Sequence, residues 1–283
     1  MSAVAVAGGI RARVLDGRSN ALLRLPDEVG IVYNRGMLHQ DDRDLLATEI
    51  ATRFAIGDSG RILYENAPDR SAAPRLYLAG CEAGNQVRLR HDVGEGTARA
   101  IELLVTDEPF LCDWGSIPVH LVEYVRLLAS EAPVERWDSG LIWVFLDRLA
   151  CEHDPALLGS ESPEGDRLLR RIRECGMPEA LSALGFVGVN DFWSPWCAAL
   201  RDDEIASIAF SARIGPAGAE TGVVTVPAFR GRGYAAAATA GWASLPSLRS
   251  RALFYSTSRS NTSSQRVAQR LGLCFLGASL TIV

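Results

Sequence analysis

Lysine is absent from this chain of 283 residues, so all 29 of its basic side chains are arginine. That excludes a Walker-type nucleotide site, whose glycine loop needs a lysine to reach the phosphates. Acids are missing over a long stretch as well. None occurs from Thr221 to the C-terminus, where Arg230, Arg232, Arg249, Arg251, Arg259, Arg266 and Arg270 lie. With a formal net charge of -5 for the whole chain, the acid excess sits in residues 1–220. Long apolar runs are also lacking. Nothing approaches the roughly 18 residues of a membrane span, and the small apolar start at residues 1–9 is followed at once by Arg11 and Arg13. That start is too short for a signal-peptide core, and a cytoplasmic protein is expected. Cys81, Cys112, Cys151, Cys175, Cys197 and Cys274 include no pair at metal-ligand spacing, and His39, His91, His120 and His153 are equally scattered. Reduced thiols, no metal site and no histidine-centred triad are the expectation. Neither nucleic acid nor membrane is an expected partner.

What the chain does have is a strand, a glycine turn and a helix start in that order. Val223, Val224, Thr225 and Val226 form a β-branched run that stops at Pro227, and Arg230-Gly231-Arg232-Gly233 then opens an alanine-rich stretch. Glycines let the backbone approach an anion, and the first helical N–H groups have no intrahelical partner. The two arginines add forked donors beside them. In a tail without acids, this pattern points to a phosphorylated ligand. Gly231, Gly233 and Ala236 also fit a dinucleotide fingerprint, which expects an acid about 20 residues on. The tail has none, although Arg249 or Arg251 could meet an NADP phosphate, so that alternative stays open.

Composition and pattern divide the chain in two. The expected N-terminal unit, residues 1–135, is a smaller α+β domain. It has a helix at 42–54 ended by Gly57, a short strand at 61–64, a hairpin of 75–78 with 86–90, and a helix at 96–105. A third helix would be capped by Ser116, with Leu121, Val122, Val125 and Leu128 inward. The expected C-terminal unit, residues 136–283, starts with an apolar strand at 141–146. It continues with helices at 166–174 and after Pro178, then a hairpin of 196–200 with 205–210. After the glycine motif come a strand at 252–257, a helix at 263–271 and one last extended piece.

From about Leu141 onward the chain resembles the GNAT (GCN5-related N-acetyltransferase) family. Val226-Pro-Ala-Phe-Arg-Gly-Arg-Gly-Tyr-Ala235 looks like its acyl-CoA loop, and Asn261-Thr-Ser-Ser264 with Val267-Ala-Gln-Arg-Leu-Gly272 looks like its second motif. The N-terminal stretch around Ala73 to Gly80 looks like an extension found in some bacterial members. The resemblance implies an α/β fold with a mixed, mostly antiparallel sheet flanked by helices. It also implies two strands that splay apart around the phosphate helix, and acetyl-CoA as co-substrate. In such a site the backbone at Val224, Thr225 and Val226 would pair with the pantetheine arm. The N–H groups of Arg230, Gly231, Arg232, Gly233, Tyr234 and Ala235 would hold the pyrophosphate. Asn261 and Ser264 would face the pantetheine and thiol end.

The implied reaction passes an acetyl group to an amine, most simply a small-molecule primary amine. An alkylammonium is neutral only about once in 2,500 at pH 7, so making it nucleophilic costs about 4–5 kcal/mol. Glu220, the last acid of the chain, heads the strand and is the candidate base, acting through water. The family's general-acid tyrosine, four residues before the glycine of the last helix, is Ala268 here. Tyr255, Ser258 and Ser264 are nearby in sequence, with no basis for choosing among them. Only about eleven residues follow Gly272, room for one strand rather than the usual pair. Part of the acceptor pocket is then expected from the N-terminal domain or from a second subunit in a homodimer. Trp143, Phe145, Phe192, Trp193 and Trp196 are candidates for pocket walls, with core packing as the alternative. A non-catalytic acyl-CoA-binding or sensing module is the other functional class left open.

Overall fold

The computed structural model describes residues 41–145, 149 and 155–283; His39, Cys151, His153, Leu146 and the start of the chain lie outside these. The order of elements begins α1 (Asp42–Arg53), β1 (Phe54–Ile56), β2 (Ile62–Glu65), β3 (Leu76–Cys81), β4 (Gly84–Leu89), α2 (Glu95–Thr106), α3 (Leu121–Ala129). It continues with β5 (Trp137–Val144), β6 (Leu157–Gly159), α4 (Pro163–Cys175), α5 (Glu179–Ser182), β7 (Trp196–Arg201), β8 (Glu204–Ile214) and β9 (Gly218–Thr225). The last elements are α6 (Tyr234–Ala243), β10 (Ala252–Ser258), α7 (Thr262–Arg270) and β11 (Cys274–Ile282). The expected class holds: helices flank a sheet that is antiparallel at every junction but β9–β10.

Local chemistry sets the boundaries. Asp41 caps α1 by accepting from the Arg43 N–H at 3.2 Å, and acids occupy the first turn with Arg53 in the last. That helix ends before Phe54, earlier than expected, because Phe54 turns extended and pairs opposite Glu65. Ser162 caps α4 through the Gly165 N–H at 3.1 Å, with Pro163 at its start. Asp202 and Asp203, at φ 50 and 64, form the left-handed two-residue turn that matches strand twist between β7 and β8. Helix α3 departs from expectation. Ser116 does not cap it but accepts from the Asp113 N–H at 3.1 Å, and the helix starts later, at Leu121. Its buried residues are Tyr124 and Leu128, while Val122 stays 76% exposed.

Nine strands make one sheet in the order β4-β3-β11-β5-β10-β9-β8-β7-β6, and β1 with β2 forms a separate ribbon. The sheet crosses residue 135 without a break: β3 pairs with β11 from Leu76↔Ile282 to Gly80↔Ala278. The single strand after Gly272 therefore has neighbours on both sides. β5 lies between it and β10, registered with β11 from Trp137↔Ile282 to Val144↔Cys274 and with β10 from Gly140↔Ser258 to Val144↔Phe254. The strand between β11 and β10 thus comes from ahead of the glycine motif, within the same chain.

Successive strand residues point to opposite faces, and the core divides accordingly. On one face Leu141, Trp143, Ala219, Tyr255 and Ala278 pack with residues of α2, α3, α6 and α7. On the other, Tyr77, Ile142, Val144 and Phe254 pack under α1, and Trp196, Ala198 and Ile208 pack under α4. Gly218 lets α1 lie against β9, since a Cβ there would overlap Thr52 Oγ1. No helix among the described residues is long and apolar enough to cross a membrane.

Candidate active site

Strand β9 carries the site because its two halves have different neighbours. Gly218, Ala219, Glu220 and Thr221 pair in parallel with Ala252, Leu253, Phe254 and Tyr255 of β10. Beyond Thr221 the strands part. Residues 222–225 remain paired with β8, from Phe210↔Gly222 to Ser207↔Thr225, while Ser256, Thr257 and Ser258 pair with β5. A gap opens between them. Backbone groups alternate sides along a strand. The Val226 N–H donates to Ala206 O at 3.0 Å and Val224 O accepts from Ser207 Oγ at 2.7 Å, both towards β8. The gap is consequently faced by the backbone of Val223 and Thr225, not by Val224 and Val226. Val226 is moreover buried under α4. Thr225 O accepts from Arg230 Nε at 3.3 Å, which ties the glycine turn to the strand end.

After a short 3-10 turn at Pro227–Phe229, Gly231 and Gly233 adopt φ 75 and 90. Gly233 is the N-cap of α6 and has no side chain with which to cap the helix start. A helix start without a capping side chain favours an anion, and the exposed Arg230 and Arg232 lie in the turn that leads into it. Tyr234 turns its ring inward, 3% exposed and 5.8 Å from Phe229. Ala236, Ala237 and Ala238 are buried and bring the helix close to the sheet. Trp242 Nε1 fastens its far end to Pro195 O and Ser211 Oγ, both at 3.1 Å.

Asn261 and Ser264 lie at the start of α7, where Asn261 Oδ1 accepts the Ser264 N–H at 3.1 Å as a helix cap. The Asn261 carboxamide oxygen is therefore engaged, while Ser264 Oγ lies 2.7 Å from the Tyr255 hydroxyl. Tyr255 is 1% exposed; burial pushes its phenol up to about 12, and the Ser264 bond draws it part of the way back. Ser258 is elsewhere, donating to Asp138 Oδ1 at 2.9 Å.

Glu220 is not a free carboxylate. Its Oε2 accepts from Arg213 Nη1 at 3.0 Å, and its Oε1 meets Arg53 Nη1 at 3.5 Å and the Ser256 hydroxyl. Burial alone would push its carboxyl up, but Arg53, Arg213 and Ser256 together hold it below the ordinary carboxylate range. It also precedes the parting of the strands. Arg213 goes on to Glu65 Oε2 at 2.7 Å, and Arg53 to Glu49 Oε1 at 3.4 Å, where the Tyr77 hydroxyl also bonds at 3.0 and 3.1 Å. Sequence reasoning missed this network. Arg213 was within reach, because it stands opposite Glu220 across the turn between β8 and β9. Arg53, 167 positions from Glu220, was not.

Of the aromatic candidates, Trp143, Phe145, Phe192 and Trp196 are core residues. Trp193 alone is half-buried, 5.7 Å from Phe210. Among the described residues no group of three metal-ligating side chains comes together.

Residues 172–273 match a family model described as an acetyltransferase (GNAT) domain. No curated protein matches the chain. Among solved structures, a GNAT-family protein from Novosphingobium aromaticivorans is 22% identical, with 53% of this chain and 65% of that one covered at a TM-score of 0.38. A GCN5-related N-acetyltransferase-like protein from Streptococcus suis is 14% identical, with 88% and 95% covered at 0.41. A GNAT-family acetyltransferase from Colwellia psychrerythraea is 12% identical, with 70% and 75% covered at 0.39. At these scores the neighbours supply no residue roles.

Proposed function

We propose that this chain, which carries a GNAT acetyltransferase domain at residues 172–273, transfers an acetyl group from acetyl-CoA to a primary amine on a small molecule. The parting of β9 and β10 after the Thr221–Tyr255 pair, beside an uncapped glycine-led helix, carries the reading. A pantetheine arm adds to the open edge at Val223 and Thr225, as an extended peptide adds to a sheet. The pyrophosphate sits on the first turn of α6. The acetyl thioester then lies in the gap, on which the amine closes from the α1 and α4 face. Glu220, ionised between Arg53 and Arg213, ties β9 to β10 through Ser256. Proton removal from the ammonium falls to water at the cleft.

Binding of CoA, measured by calorimetry against NADP as the competing cofactor, tests the site. Gly233→Val forces a β-branched side chain into a left-handed backbone at the helix start, at about 1–2 kcal/mol of strain, and blocks the phosphate approach. CoA affinity is expected to fall at least a hundredfold. Retained affinity, or preference for NADP, sinks the assignment. A second reading, a non-catalytic acyl-CoA sensor, is favoured by one observation: Glu220 is buried in ion pairs with Arg53 and Arg213, and the helix position of the family's general acid is the buried Ala268. Acetyl-CoA binding without product across a panel of amines would decide for it.

A further inference from the structure

On the face of the sheet that carries α1 and α4, an aromatic ring lies across the place where the cleft opens. Phe210 stands opposite Gly222, the first residue of β9 beyond the Thr221–Tyr255 pair. A Cβ on Gly222 would come within 2.7 Å of Phe210 Cε2 and 2.9 Å of its Cζ. The ring therefore covers the Gly222 backbone, an approach that needs glycine. Phe210 is half-buried and is backed by Phe186, with ring centroids 6.3 Å apart and planes at 79°. Trp193 stands on it edge-on, at 5.7 Å and 88°. The Trp193 backbone is held, since its carbonyl accepts the Ser211 N–H at 3.2 Å, at the irregularity in β8. Its ring belongs to none of the three buried clusters, whereas Phe192 and Trp196 belong to the one under α4. Core packing explains those two and leaves Trp193 unexplained.

The charges beside this ring are already matched. Glu220 is paired with Arg213 and Arg53, Glu65 with Arg213, and Glu49 with Arg53. No carboxylate of this network is left to hold a second cation on an acceptor, while an aromatic surface remains. We propose that Phe210 and Trp193 form the wall that receives the body of the acceptor, and that the acceptor is a monoamine on an apolar, ring-bearing body. The inference rests on the acyl-CoA reading above and names the substrate class of that site. The wall covers Gly222, and the open edge of β9 starts at Val223, one residue or about 3.3 Å further on. That spacing sets a short alkyl arm between ring and nitrogen. Apolar burial and edge-on aromatic contact supply the affinity. They also set the specificity, against amines that carry a second charge.

The test reads binding and so does not depend on turnover. The full chain, saturated with CoA, is titrated by calorimetry with phenethylamine and with diaminobutane. Phenethylamine is expected to bind about tenfold more tightly than the diamine. Trp193→Ala should weaken phenethylamine about tenfold, and Gly222→Ala, which displaces the Phe210 ring, about fivefold. Trp193→Phe keeps an aromatic edge and should cost less than about threefold, and CoA affinity should stay within about twofold in all three variants. A purely structural role for Trp193 would weaken CoA and both amines alike. Tighter binding of the diamine, no binding of phenethylamine, or equal phenethylamine affinity in Trp193→Ala overturns the wall while the CoA site stands. Failure of the unaltered chain to bind CoA overturns the acyl-CoA reading instead, and the acceptor role of the wall with it.

Discussion

Glu49 and Glu220 make an informative pair. Both carboxylates are buried, at 1% and 2% exposure, and both lie against Arg53 Nη1, at 3.4 and 3.5 Å. Their protonation is nevertheless driven in opposite directions. For Glu49, burial is the largest influence, with the charge of Glu220 adding to it and Arg53 and Tyr77 opposing, and its carboxyl is pushed up to about 7. For Glu220, burial is again the largest single influence, but Arg53, Arg213 and Ser256 together outweigh it. What separates them is the second arginine. One guanidinium shared between two buried carboxylates leaves one of them underpaid. The group nominated as base is thus the more firmly ionised, and the carboxyl poised near neutrality belongs to α1, a helix outside the GNAT match.

Removing the shared cation should have the largest effect. Arg53→Met leaves Glu49 without a cation and Glu220 with Arg213 alone, and takes a donor from Ser256; it is expected to cost about 3–5 kcal/mol in urea unfolding. A loss under about 1 kcal/mol would mean that the network is not formed in solution. Glu220→Gln comes next, at about 2–3 kcal/mol, because Arg213 keeps Glu65 but loses its partner on β9. Acetyl-CoA affinity should stay within about threefold, since Glu220 lies before the strands part. A catalytic base would show instead as a collapse of turnover with stability intact.

Fold and loop were legible from the sequence to different depths for a physical reason. The glycine turn is local: Gly231, Gly233 and the alanines of α6 state their geometry within a dozen residues, and the expected strand and helix stand there. The hairpin of β7 and β8 is equally local, through Asp202 and Asp203. The position of β5 is not. Nothing in Trp137–Val144 says which strands it separates, because an apolar run reads the same beside any neighbour. The role of Glu220 failed to show for a similar reason. Its meaning depends on Arg53 and Ser256, brought to it by tertiary packing, and a lone acid at the head of a strand carries no mark of its partners. Even the backbone face of β9 needed the structure, since a shift of one residue exchanges Val224 for Val223.

The smallest expected effect is also the most discriminating. Between about pH 4.5 and 7, the unfolded chain has released the Glu49 proton and the folded chain still holds it. The folded state binds more protons there, so the Glu49 contribution is full below about pH 4.5 and is lost as pH rises through about 7, by up to about 1.4 kcal/mol per unit. The Glu220 contribution runs the other way, present above the unfolded carboxylate value and lost as pH falls. Glu49→Gln mimics the protonated form and keeps an oxygen for Tyr77. Its stability should match that of the unaltered chain at pH 4 and exceed it by about 1–3 kcal/mol at pH 8, while Glu220→Gln is destabilised more at pH 8 than at pH 4. Unfolding free energies of the three proteins at both pH values decide the matter. A Glu49→Gln difference that does not change with pH would place the titration elsewhere and dissolve the contrast between the two carboxylates.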